Sequence, residues 1–175
     1  NISSALLDSE ILLSRVINKE RKFILLNLDQ ELNSDDQDNF KNLIKKRSRG
    51  VPIAYLTGTK SFWKFDFKVN NKVLIPRPET EVIIEQVLKI YKNKDNLNFL
   101  EIGIGSGCII LSLLKEKKFF LGTGIDLSED CIRICKYNAT NLGVNSRLRL
   151  IKSNIDNFNY GKYDLIISNP PYIKK

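Results

Sequence analysis

The chain has 175 residues, 42% of them hydrophobic, with 28 basic against 20 acidic side chains and a net charge of +8. That length supports one good core and a small satellite domain, and the charge favours an acidic or nucleic-acid-rich partner at long range. The sequence holds no histidine, which excludes Ser-His and Cys-His catalysis and histidine-bound catalytic metals, and it lacks the apolar run of about 18 residues that a membrane-spanning helix needs.

Ala5, Leu6, Leu7, Ile11, Leu12, Leu13 and Val16 recur at helical spacing and predict a helix over residues 3–18, followed by a shorter one over 20–27. Ser34-Asp35-Asp36-Gln37 reads as a capping box that opens a helix toward Arg49. The basic run Lys41, Lys45, Lys46, Arg47 and Arg49 complements the dipole at that helix's end. After the break at Gly50-Val51-Pro52, residues 52–58 read as a short helical turn closed by glycine, so residues 1–57 form a small helical domain. Two β-prone stretches, 62–69 and 72–75, flank Asn70-Asn71 and predict a β-hairpin in a linker over residues 58–78. Pro76-Arg77-Pro78 stops it, and an amphipathic helix over 79–91 opens a third segment, 79–175.

In that segment strands are expected at 98–102, 121–125, 148–152 and 163–168. Helices are expected from Cys108 and from a cap at Ser128 through Asn141, with Gly143 just beyond. Alternating strands and helices imply an α/β fold with an open, largely parallel, Rossmann-like sheet and ligands at the carboxyl ends of its strands. Cys108, Cys131 and Cys135 form neither a metal-ligand pattern nor a disulfide framework. With no basic leader in Asn1-Ile2-Ser3-Ser4, they suit a cytoplasmic protein.

Two motifs carry chemistry. The first strand runs into Glu101-Ile102-Gly103-Ile104-Gly105-Ser106-Gly107, a glycine turn that lets backbone approach a ligand and presents helix N–H groups to an anion. Asp126, at the end of the next strand, suits a ribose diol. Cys108 stands where a dinucleotide fingerprint wants a third glycine or alanine. The second motif is Asn169-Pro170-Pro171-Tyr172. An amide or exocyclic amine is a poor nucleophile because its lone pair is delocalised. An asparagine oxygen and a backbone carbonyl fixed by prolines can grip both of its N–H groups, with an aromatic wall beside them. Glycine turn, aspartate and Asn-Pro-Pro-Tyr together point to S-adenosylmethionine as methyl donor, with no metal.

These motifs, with Pro52-Ile53-Ala54-Tyr55-Leu56-Thr57-Gly58, the Phe62-Trp63 hairpin and Leu74-Ile75-Pro76-Arg77-Pro78-Glu79-Thr80-Glu81, resemble the HemK-like (PrmC) glutamine N5-methyltransferases of peptide-chain release factors. The resemblance implies that residues 1–57 recognise substrate and that residues 79–175 are the methyltransferase domain. It implies a cofactor site made of Glu101, Gly103, Ile104, Gly105, Ser106 and Gly107 around the methionine part, Asp126 at the ribose, and Asn154 and Ile155 beside the adenine, with Asn169 also among the cofactor-binding residues. Asn169 and the Pro170 carbonyl would hold the glutamine amide of a Gly-Gly-Gln loop, with Pro171 and Tyr172 packing beside it. The implied partner is a release factor; separately, a monomer with no membrane association is expected.

Two features depart from the family pattern. Asn154 stands where an aspartate is frequent, and Ile155 replaces a larger neighbour. The sequence also stops three residues after Tyr172, so it reads as a fragment truncated after its fourth strand, with an apolar edge and no activity alone. The same Asn-Pro-Pro-Tyr chemistry serves adenine-N6 methyltransferases of DNA or RNA, and a non-catalytic module docking on the translation machinery is a third reading.

Overall fold

In the computed structural model, which describes residues 3–170, the chain divides into two units, one reaching to Gly58 and the other starting at Thr59. The first is helical: α1 (Ala5–Ile17), α2 (Arg21–Leu26), α3 (Ser34–Ser48) and α4 (Ile53–Thr57). Leu12 of α1 is fully buried, and so nearly is Asp8. Arg47 explains how Asp8 is tolerated there: its Nε donates to Asp8 Oδ2 at 2.7 Å and its Nη1 to the Val51 carbonyl at 3.3 Å. A buried carboxylate needs such a partner. One member of the basic run therefore pins α3 to α1.

The cap of α3 lies one residue earlier than the sequence suggests. Asn33, in extended backbone, accepts from the Asp36 N–H through its side chain at 2.8 Å. Asparagine caps at least as well as serine, so Ser34 becomes the first helical residue.

The second unit opens with β1 (Thr59–Phe62) and β2 (Phe65–Lys68), paired antiparallel around Trp63-Lys64. This corrects the expected hairpin. Asn70-Asn71 does make a turn, with the Lys72 N–H donating to Asn70 Oδ1 at 2.9 Å, but the residues after it form no strand. The physical reason is burial. Phe62 and Phe67 both enter the core of this unit and meet edge to face at 6.1 Å, which requires the tighter pairing. Trp63 takes the left-handed backbone (φ 56°), held by Glu81 accepting its backbone N–H and Glu116 its indole N–H, both at 2.7 Å. The segment expected as a linker is thus part of a core.

A tight turn over Pro78–Thr80 precedes α5 (Glu81–Ile90), so this helix starts two residues later than expected. The sheet that follows contains β3 (Leu97–Ile102), β4 (Phe120–Asp126), β5 (Leu148–Lys152) and β6 (Leu165–Ser168), all parallel, in the order β5-β4-β3-β6. Helix α6 (Cys108–Glu116) joins β3 to β4, and α7 (Glu129–Leu142) joins β4 to β5. Ile109, Ile110, Leu111, Leu113 and Leu114 make α6 apolar nearly all round, and all are buried, as a fully covered helix requires. Ser128 caps α7 by accepting from the Cys131 N–H, and Gly143 closes it at φ 68°. The sheet grows from β3 toward β5 and then returns to the other side of β3. The chain reversal therefore leaves a crevice at the carboxyl ends of β3 and β6.

Candidate functional site

Register fixes what meets in that crevice. Ile102 of β3 lies beside Ser168 of β6, and neighbouring strands are about 4.8 Å apart. The glycine turn beginning at Gly103 and the motif beginning at Asn169 therefore leave the sheet side by side. Between them and residues 74–83 lies a cavity of about 760 Å³, within the usual range of small-molecule sites. Glu101, Gly103, Ile104, Gly105, Ser106, Asn169 and Pro170 all line it. Pro171 and Tyr172 lie outside the described residues.

The glycine turn is clamped from behind by Asp126. Its Oδ2 accepts from the Gly105 N–H at 3.0 Å and its Oδ1 from the Ser128 N–H at 2.9 Å. A carboxylate offers roughly four acceptor positions, so capacity for a ligand's hydroxyls remains. Gly105 has φ 54°, and nothing lies within 4 Å of where a side chain would begin, leaving the backbone open to a ligand. Gly107 is constrained instead by packing: at φ 81°, a Cβ there would sit 2.4 Å from Cys135 Sγ. Asn138 of α7, almost wholly buried, holds the turn from below. Its Nδ2 donates to the Ser106 carbonyl at 2.9 Å and the Lys68 carbonyl at 3.1 Å, and its Oδ1 accepts from the Lys68 N–H at 2.8 Å. One side chain thus ties the hairpin to the glycine turn.

Two polar groups in the cavity wall are poorly satisfied. Glu101 is 2% exposed and accepts from the Ile110 N–H at 2.8 Å. Burial pushes its carboxyl up to about 8, Asp126 adds to the rise, and the Ile110 bond opposes it. The Ser106 hydroxyl is buried with no hydrogen bond among the described residues, apart from the weak partner offered by the nearby Cys108 thiol. A ligand carrying an ammonium and a carboxylate would complement both, so these residues fit the amino-acid part of S-adenosylmethionine. Burial raises the Cys108 thiol to about 12, which leaves it protonated and not nucleophilic at neutral pH.

Asn169 donates through Nδ2 to Thr80 Oγ1 at 3.1 Å; its Oδ1 accepts no hydrogen bond from the described residues. Thr80 and Asn138 are residues that sequence reasoning missed. Thr80 lay in a motif already singled out, Ile-Pro-Arg-Pro-Glu-Thr-Glu, but nothing in its spacing tells which member reaches the cavity. Asn138 gave no signal at all in the middle of an amphipathic helix. Arg77 and Glu79 also line the cavity and are exposed.

Asn154 and Ile155 do not line it. They follow β5, on the far side of β4, and both are exposed. Asn154 Oδ1 accepts from the Asp156 N–H at 3.2 Å. They share the ligand-bearing end of the sheet, since the Ser153 N–H donates to the Asp126 carbonyl at 3.1 Å. Among the described residues no group of three or more histidine, cysteine, aspartate or glutamate side chains is placed to hold a metal, and no helix is long and apolar enough to cross a membrane.

Residues 79–175 match the family described as methyltransferase small domain, and residues 1–58 match the PrmC N-terminal domain. The chain belongs to the methyltransferase small domain family. A bifunctional methyltransferase of Rickettsia conorii is 39% identical over 98% of this chain and 38% of its own length. A release factor glutamine methyltransferase of Leptospira interrogans is 38% identical over 98% of this chain and 62% of its own. The chain therefore spans less than two thirds of either relative's length. The resemblance to the PrmC family carried by the sequence motifs thus extends along nearly the whole chain. The N-terminal domain of human METTL16 superposes with a TM-score of 0.51 at 18% identity, covering 61% of this chain and 46% of that one, which shows the fold alone.

Proposed function

We propose that this chain is the catalytic portion of an S-adenosylmethionine-dependent methyltransferase that modifies the side-chain amide nitrogen of a glutamine in a peptide-chain release factor. The observation that carries the reading is the shared cavity of the glycine turn and Asn169, with Asn169 Oδ1 left as an acceptor. Relatives named release factor glutamine methyltransferase, 34% to 38% identical to this chain, support the substrate.

When bound, S-adenosylmethionine supplies a methyl carbon on a positively charged sulfur, open to in-line displacement. The chain's residues do the rest. Glu101 would hold the ligand's ammonium, and the Ser106 hydroxyl, buried without a strong partner, would hold its carboxylate. Asp126 would take the ribose hydroxyls while still clamping Gly105, and Asn154 and Ile155 would border the adenine. Asn169 Oδ1 and the Pro170 carbonyl would accept the two N–H bonds of the glutamine amide. Held this way, the amide would favour a pyramidal nitrogen whose lone pair is no longer delocalised. The methyl group that the cofactor would supply would end on that nitrogen, its sulfur leaving as a neutral thioether and the nitrogen's extra proton going to solvent. Positioning and fixed dipoles supply the catalysis.

Transfer of labelled methyl from S-adenosylmethionine by the full-length protein is expected to mark a release factor and not duplex DNA or ribosomal RNA. Label confined to nucleic acid would overturn the assignment. Asn169→Ala is expected to lower turnover by about 10²–10³-fold, the usual loss for removal of one transition-state partner. Its affinity for S-adenosylhomocysteine, measured by calorimetry, should stay close to that of the parent protein.

A further inference from the structure

We propose that Thr80 is a positioning residue that anchors the Asn169 amide at the cavity; the inference rests on the amide-holding role of Asn169 given above. An asparagine side chain turns about two bonds, and gripping a substrate NH2 requires its amide to be held in one place. Thr80 Oγ1 takes the Nδ2 hydrogen bond at 3.1 Å and leaves Oδ1 without a partner among the described residues.

Thr80 is itself placed without help from Asn169. Arg77 is extended (φ −103°, ψ 139°), as the residue before a proline prefers, and Pro78 starts the tight turn that the Thr80 N–H closes on the Arg77 carbonyl at 3.0 Å. The next residue, Glu81, is tied to the hairpin through the Trp63 N–H at 2.7 Å. The Pro-Arg-Pro-Glu-Thr-Glu segment thereby becomes a rigid arm between hairpin and cavity, with the hydroxyl at its tip. Valine in place of Thr80 keeps the shape and removes the acceptor, so Nδ2 loses its partner.

The test is a double-mutant cycle on kcat, run with release factor as substrate in the full-length protein. Thr80→Val is expected to lower kcat about tenfold, the scale of one hydrogen bond. Affinity for S-adenosylhomocysteine should stay within about twofold, and Thr80→Ser should recover most of the rate. In an Asn169→Ala background the same Thr80→Val change should have no further effect. Parent-like turnover by Asn169→Ala would remove the amide-holding role itself. With Asn169→Ala impaired, a Thr80→Val variant of parent-like rate, or losses that multiply in the double variant, would overturn the positioning role alone. Thr80→Ala serves in the same cycle should the valine variant fail to fold.

Discussion

Glu101 sits where its own charge is costly, under the glycine turn and 2% exposed. Its folded pKa, about 8, lies above the ordinary 4.5, so the folded state holds the proton more tightly than the unfolded chain. That stabilisation is complete below about pH 4.5 and is lost as pH rises through about 8. With no histidine in the chain, the window is otherwise nearly silent. The urea midpoint of the ligand-free protein should fall as pH rises from 5 to 8, and Glu101→Gln should flatten that slope. An unchanged slope in the variant would assign it to another group. A cation bound beside Glu101 would draw the proton off, so affinity for S-adenosylhomocysteine, which carries the same ammonium, should rise with pH over the same window.

The elements around the cavity owe their placement to a few side chains between them, and Asn138 shows it best. It satisfies two backbone groups of Lys68 on β2 and the Ser106 carbonyl from one position on α7. Asn138→Ala leaves these groups unpaired, in a buried place at Ser106 and a part-buried one at Lys68, at a cost of about 1–3 kcal/mol in total stability. It should also speed hydrogen exchange at the Lys68 amide well before the sheet opens. Exchange at Lys68 that matches the parent protein would show that a water or a neighbour replaces the bond. Clues of this kind are faint in sequence. The glycine turn and the Ser128 cap were legible because their local geometry demands particular residues. The hairpin register was not, because it follows from the burial of Phe62 and Phe67 in a core assembled from distant segments.

Across the molecule, the cavity draws every lining residue from Leu74 onward, inside the unit that starts at Thr59. A piece comprising residues 59–175 should therefore bind S-adenosylhomocysteine about as tightly as the longer chain, within about threefold by calorimetry. A tenfold or greater loss would mean that the first 58 residues help to shape the cofactor site. The helical unit carries its own internal ties, the Asp8–Arg47 pair among them, and its contribution is expected at the level of substrate.

What the sequence determined by itself was local and chemical. The alternation of strands and helices, a glycine turn that needs left-handed backbone, caps, and a proline-fixed Asn-Pro step are each set by residues within a few positions of one another. What only the tertiary structure decided was which of those features meet. Strand order brought Gly103 and Asn169 out side by side from β3 and β6, left Asn154 and Ile155 across β4, and delivered Thr80 from 89 positions away in sequence to the amide of Asn169. Pairings of that separation come from packing a shared core and closing a sheet, and no short stretch of sequence encodes them.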